Sequence, residues 1–124
     1  MRDIIVVGPC GSGKTTLVKA LRVRGYRARV VAQEHSGIRE LWRHAGEPRA
    51  LVLLEAERST IARRREDRFP AWLHEHQMAR LASARAHADL VITTDHASAE
   101  EVVQTVLRFL GSAGIMPHDR ARRS

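Results

Sequence analysis

The residues best suited to chemistry stand in one stretch near the start, Gly8-Pro9-Cys10-Gly11-Ser12-Gly13-Lys14-Thr15, which satisfies the spacing G-x-x-x-x-G-K-[ST]. A polyphosphate is densely charged and must be held by donors that are already in place. Glycines at 8, 11 and 13 admit backbone conformations closed to other residues, so the N–H groups from Cys10 to Thr15 can turn inward as a nest. The N-terminus of the helix that follows adds partial positive charge. In such a loop Lys14 reaches the β- and γ-phosphates of a nucleoside triphosphate, and the Thr15 hydroxyl ligates the Mg²⁺ that bridges them. Thr16 is either a second hydroxyl near the α-phosphate or an ordinary first-turn threonine.

Two further sets of groups could serve this loop. Glu34 follows a short β-branched run, Arg29-Val30-Val31-Ala32, and strand C-termini are where α/β sheets place their ligands. Glu34 is therefore a candidate to hold the Mg²⁺ shell or accept a proton, the alternative being a solvated loop glutamate. Glu55, at the end of the apolar run over 50–54, is a second candidate ranked below it. Arg63, Arg64, Arg65 and Arg68 precede a Phe69-Pro70 break, the composition expected of a movable lid that closes on phosphate. Cys10, the sole cysteine, excludes an internal disulfide and fits a reducing compartment. Its thiol is a tolerated small residue or, beside a helix N-terminus, a redox-sensitive one. The seven histidines form no ligand set by spacing: His74 and His76 fall on different faces of a helix, and no Cys or carboxylate completes a zinc pattern.

The elements that position these groups alternate. Short apolar strands are expected at 3–7, 29–32, 50–54 and 89–93. Helices are expected at 14–24, closed by Gly25, at 37–45, from a Ser59 or Thr60 cap through Arg68, at 71–87, and from a Ser98-x-x-Glu101 capping box to Gly111. Such alternation implies a three-layer α/β/α fold on a small parallel sheet of about four strands. The domain spans 1–111; 112–124, aperiodic and ending in arginines, reads as a basic disordered tail.

Composition sets the outer limits. With 124 residues, 44% hydrophobic and 28% charged, the chain is one folded domain, and no apolar run approaches the ~20 residues of a membrane span. The start runs straight into the first strand without room for a signal peptide, so a cytoplasmic location is expected. The net charge of +7 raises nucleic acid as a partner, but only two of the 21 basic residues are lysines and the 19 arginines are spread along the chain. That skew looks like a coding bias, aromatics are 4%, and no nucleic-acid motif accompanies it.

Taken together, Gly8 to Thr16, the run Leu53-Leu54-Glu55-Ala56 leading to Arg63-Arg64-Arg65, and Ala88-Asp89-Leu90-Val91-Ile92 with Thr94-Asp95 and Ser98 resemble the P-loop kinases of small molecules. That group contains the adenylate, shikimate, gluconate and thymidylate kinases. The resemblance implies ATP and Mg²⁺ as cofactors and γ-phosphoryl transfer to a small acceptor. It also implies Arg63 and Arg64 in the arginine lid, and a loop around Asp95 near the base. The chain departs from the group in having four strands where five are usual, only 33–49 in place of a sizeable acceptor-binding insertion, and no strand ending in the usual metal-shell aspartate. With one strand lost, residues 30–33 would sit beside the first strand, Glu34 would take the metal-shell role, and a small acceptor would meet Glu34, His35, Arg39 and Arg43 in an open groove. The competing expectation is a nucleotide-binding module whose bound and empty states are read by a protein or nucleic-acid partner.

Overall fold

The computed structural model describes residues 2–66 and 68–117. Its centre is β1 (Ile4–Val7), whose four side chains are all buried. A β-branched run with no polar face can satisfy its backbone only between two other strands, and β1 lies between β2 (Ala28–Val30) and β3 (Ala50–Glu55). Strand β3 also pairs with β4 (Leu90–Thr93), giving the order β2-β1-β3-β4 with every pairing parallel. The chain is α/β with the expected four parallel strands, and the second strand does sit beside the first.

Successive residues of a strand face opposite sides of a sheet, and the core divides accordingly. Ile4, Val6, Val52 and Leu54 pack with Leu17, Val18 and Leu21 of α1 (Lys14–Val23) and with Val102, Val103, Val106 and Leu110 of α5 (Ala99–Ser112). Ile5, Val7, Leu51 and Leu53 face the other way, onto Trp42, Leu81 and Ala84, with Met78 at the edge. Met78 lies on α3 (Ala71–Arg80), and Ala84 on α4 (Ala82–His87). A third, small cluster of Ala56, Ile61 and Phe69 seats α2 (Arg58–Arg65). Helices thus cover both faces of the sheet.

The C-terminus of α1 and the N-terminus of α5 follow the sequence signals. Gly25 takes φ 90° just past α1. The capping box is complete: Glu101 N–H donates to Ser98 Oγ at 3.0 Å and Ser98 N–H to Glu101 Oε1 at 2.8 Å.

Four expectations need correction. Residues 37–45 form no α-helix: 3₁₀ turns at Gln33–His35 and Leu41–Arg43 flank an irregular stretch. The buried Gln33 amide explains this, since it donates to Ile38 O at 2.7 Å and accepts from Trp42 N–H at 3.0 Å, taking up backbone groups that a helix would have paired. Neither Ser59 nor Thr60 caps α2, which starts after Glu57, because Thr60 is drawn into the hydrogen bonding of Asp95 instead, and the helix stops at Arg65, short of Arg68, where Glu66 takes φ 58°. The helix over 71–87 breaks at Leu81, whose N–H is shared between the carbonyls of Gln77 and Met78, both at 3.1 Å. That offset turns Leu81 and Ala84 onto the sheet. Lastly, α5 runs through Gly111 to Ser112, the left-handed residue is Gly114, and Ile115 packs against the core. Arg49 donates to Met116 O at 3.4 Å, so the basic tail begins later than expected; its remainder, 118–124, lies outside the described residues.

Truncation after Gly111 is therefore expected to destabilise the protein. It removes Ile115, which packs partly buried against the core, and the closing bonds Ala113 N–H to Phe109 O and Ile115 N–H to Leu110 O, both 2.9 Å, together about 2–3 kcal/mol. Urea unfolding measures it, and an unchanged midpoint would show that 112–117 contribute nothing.

Candidate functional site

The phosphate-loop sequence occupies the turn from β1 into α1, as the spacing predicts. Gly11 and Gly13 have φ of 76° and 99°, conformations that side chains rarely adopt. Gly8 is needed for a different reason: a Cβ there would stand 2.5 Å from the Leu54 carbonyl of β3. Ser12 is buried and its N–H donates to Pro9 O at 3.2 Å, which tightens the turn. Thr15 and Thr16 open α1 with exposed side chains.

Lys14 does not extend into solvent. Its ammonium folds back across the loop and donates to Gly8 O at 2.8 Å, Pro9 O at 2.9 Å and Glu34 Oε2 at 2.9 Å, which uses all three protons. Glu34 is brought there by register. Val31 N–H continues the ladder to Val6 O at 3.1 Å, and the 3₁₀ turn that follows carries Glu34 inward beside the loop. The pair is nearly sealed, with side-chain exposures of 10% for Lys14 and 4% for Glu34. Glu34 Oε1 is buried with no hydrogen-bond partner, so half of this carboxylate is unused. Glu55, the lower-ranked candidate, is engaged by the Arg85 guanidinium.

Of the arginine run, Arg64 is the one that reaches the loop. Its guanidinium donates to Gly11 O at 3.0 Å, to Thr94 Oγ1 at 3.1 Å and to Thr94 O, bridging the loop and the turn after β4. Arg63 is exposed, and Arg65 lies 5.6 Å from the Phe69 ring centroid. The expected lid is thus a docked helix in this structure, with Ile61 fully buried beneath it. Between Arg64 and α1 lies a cavity of about 240 Å³ lined by Gly11, Gly13, Thr16, Thr94, Ala97 and Val102 among others. Whole-ligand pockets run to about 300–1,000 Å³, so this one suits a flat ring and not a complete nucleotide.

Asp95 braces the same corner. Burial pushes its carboxyl up, but the Thr60 side chain, the Glu57 N–H at 2.8 Å, and the charges of His96 and Arg64 outweigh that and hold it below the usual range. It positions α2 rather than lining the cavity.

On the other side of the loop, sequence reasoning missed a cluster. Gln77, buried on α3, accepts from Cys10 N–H at 3.0 Å and donates to Cys10 Sγ at 3.3 Å. His35 Nε2 lies 3.3 Å from the same sulfur. Contrary to the histidine reading, Cys10, Glu34 and His35 therefore stand together; strand register, not spacing, joins them. Farther out is an open groove of about 450 Å³ whose lining includes Ser36, Arg39, His76, Arg80 and His87. Of the four residues expected to meet an acceptor, Arg39 lines this groove, whereas Arg43 is turned to Glu40 and Glu47 at 3.5 and 3.4 Å. Beside the groove the Ser83 hydroxyl, then Arg43, His87 and Arg39, hold Glu40 below the ordinary carboxylate range.

Compared with known proteins, the chain matches no family model and none of the curated proteins. Among the described residues no helix is long and apolar enough to cross a membrane.

The Asp95 arrangement gives a signed pH dependence. A carboxyl whose folded pKa is depressed below its unfolded value of about 3.9 stabilises the fold above that pH, and loses the contribution as pH falls through the folded value. Replacing Asp95 by Asn should cost about 1 kcal/mol at pH 7, and the gap should narrow as pH falls below the unfolded value and through the lower folded one. Urea unfolding of both proteins across this range tests it; a pH-independent gap would contradict it.

Proposed function

We propose that the chain binds Mg²⁺ and a nucleoside triphosphate, ATP in the simplest case, and transfers the γ-phosphoryl group to a small acceptor, as the P-loop kinases it resembles do. The observation that carries this reading is the Lys14 ammonium, shared between two loop carbonyls and the buried Glu34 carboxylate. Two peptide oxygens and one carboxylate are what a lysine takes when its phosphate is missing. With a triphosphate in the loop, Lys14 exchanges Glu34 for the β- and γ-oxygens, and the N–H groups of Gly11, Gly13, Lys14 and Thr15 close on the β-phosphate, those of Cys10 and Ser12 being held by Gln77 and Pro9.

Glu34 is released by that exchange. Its free oxygens then take the water shell of the metal or the proton of the acceptor, while Thr15 supplies the hydroxyl ligand. Thr15 and the freed Glu34 would hold Mg²⁺ there, which would supply charge neutralisation for the transfer. The base lies in the cavity beneath Arg64, whose guanidinium already stands between loop and lid. The acceptor lies in the groove beyond His35, where Arg39, Arg80, His76 and His87 favour an anion, and its oxygen attacks the γ-phosphorus as the bond to ADP breaks.

Lys14→Ala is expected to weaken Mg·ATP binding by tenfold to a hundredfold, as loss of a charge-assisted contact worth about 1.5–3 kcal/mol requires, while the fold survives. Titration calorimetry on both proteins measures it, and a folded variant with unchanged affinity would overturn the site. Phosphoryl transfer across a panel of small anionic acceptors tests the reaction; tight ATP binding with no turnover on any of them would favour the nucleotide-binding module instead.

A further inference from the structure

The cluster beside the loop is not explained by nucleotide binding. Cys10 Sγ, His35 Nε2 and a Glu34 carboxylate oxygen all lie within 4.8 Å of one another, with Sγ to Nε2 3.3 Å and Nε2 to Glu34 Oε2 3.6 Å. A tetrahedral zinc with bonds of about 2.3 Å to sulfur and about 2.0–2.1 Å to nitrogen and oxygen sets its ligand atoms roughly 3.4–3.6 Å apart. The Sγ–Nε2 and Nε2–Oε2 separations match those around one ion, and the remaining pair closes from within 4.8 Å.

A second observation points the same way independently. Glu34 is 4% exposed at its side chain, one oxygen is held by Lys14, and the other, Oε1, is buried with no hydrogen-bond partner. Leaving an ionised oxygen dry and unpaired is costly, and a cation removes the cost. The support around the cluster also fits. Gln77 fixes Cys10 at both its N–H and its sulfur. His35 is 58% exposed, so an ion can enter from solvent and keep a water as its fourth ligand. Lys14 donates to the same Glu34 Oε2 that faces His35, so its charge lowers affinity for a cation, but it engages neither the sulfur nor the imidazole.

We propose that Cys10, His35 and Glu34 form a binding site for a soft divalent cation, zinc above all. Thiolate and imidazole select it over Mg²⁺, which takes oxygen ligands almost exclusively. Mg²⁺ in the phosphate site and zinc here are distinct ions, and the zinc site needs no nucleotide.

Cobalt(II) is the probe, because sulfur ligation gives it an intense near-ultraviolet charge-transfer band and four-coordination gives it strong visible bands. As Cys10 is the chain's single cysteine, any sulfur-to-cobalt band reports this residue alone. Titrating the nucleotide-free protein with cobalt should develop both features at one equivalent, and zinc should bleach them. Cys10→Ser should abolish the charge-transfer band, and His35→Ala, at an exposed position that the fold does not need, should weaken cobalt binding at least tenfold. Absence of the sulfur band in the wild-type protein would overturn the site. So would a band of unchanged affinity in His35→Ala, which would mean an isolated thiol binding metal on its own.

Discussion

A lysine ammonium at the N-terminus of a helix is positive charge placed on positive potential. The rest of the site depends on how that charge is compensated. In this chain the compensation is internal: Glu34 and two loop carbonyls take the three protons of Lys14. Nothing along the sequence brings residues 14 and 34 together except the sheet. Because β2 pairs directly with β1, the turn after β2 ends against the phosphate loop, and Gln33 keeps the following segment from continuing as a helix that would carry Glu34 away.

A buried ion pair gains little over its desolvation cost, so one partner can be exchanged for a better one at small expense. A triphosphate offers Lys14 more charge than a single carboxylate does, and metal ions offer Glu34 the same. The loop is in this sense held in readiness by a weak internal substitute. Arg64 and Asp95 tie the other flank, linking the turn after β4 to the loop and to α2, so that the cavity beneath Arg64 and the glycine loop share one wall.

Much of the fold was legible because its signals are local. Four short apolar runs, a glycine loop between strand and helix, and the Ser98 capping box each specify their element with residues a few positions apart. The errors came where a distant side chain overrides a local pattern. Ile38, Leu41, Trp42 and Ala45 have helical spacing, yet the Gln33 amide captures the backbone, leaving Ile38 49% exposed while Trp42 is buried. Leu81 breaks a helix that the periodicity continues, since the sheet offers it burial. In the site, the loop, Lys14 and the placing of Glu34 at a strand end could be read from the sequence; Arg64 as the arginine that docks, and the meeting of Cys10, His35 and Gln77, could not. Those contacts cross 25 to 67 residues and follow from strand order and helix seating rather than from any spacing along the chain.

The central claim is that Glu34 holds the place of phosphate on Lys14, and affinity for triphosphate in the absence of any metal ion tests it most directly. If the claim holds, Glu34→Gln removes the competitor for Lys14 while keeping its shape, and metal-free ATP should bind about fivefold to tenfold more tightly to the variant than to the wild-type protein, on the order of 1 kcal/mol. Equal or weaker binding by the folded variant would contradict it, because Glu34 would then be a structural partner of Lys14 and not a stand-in for its ligand.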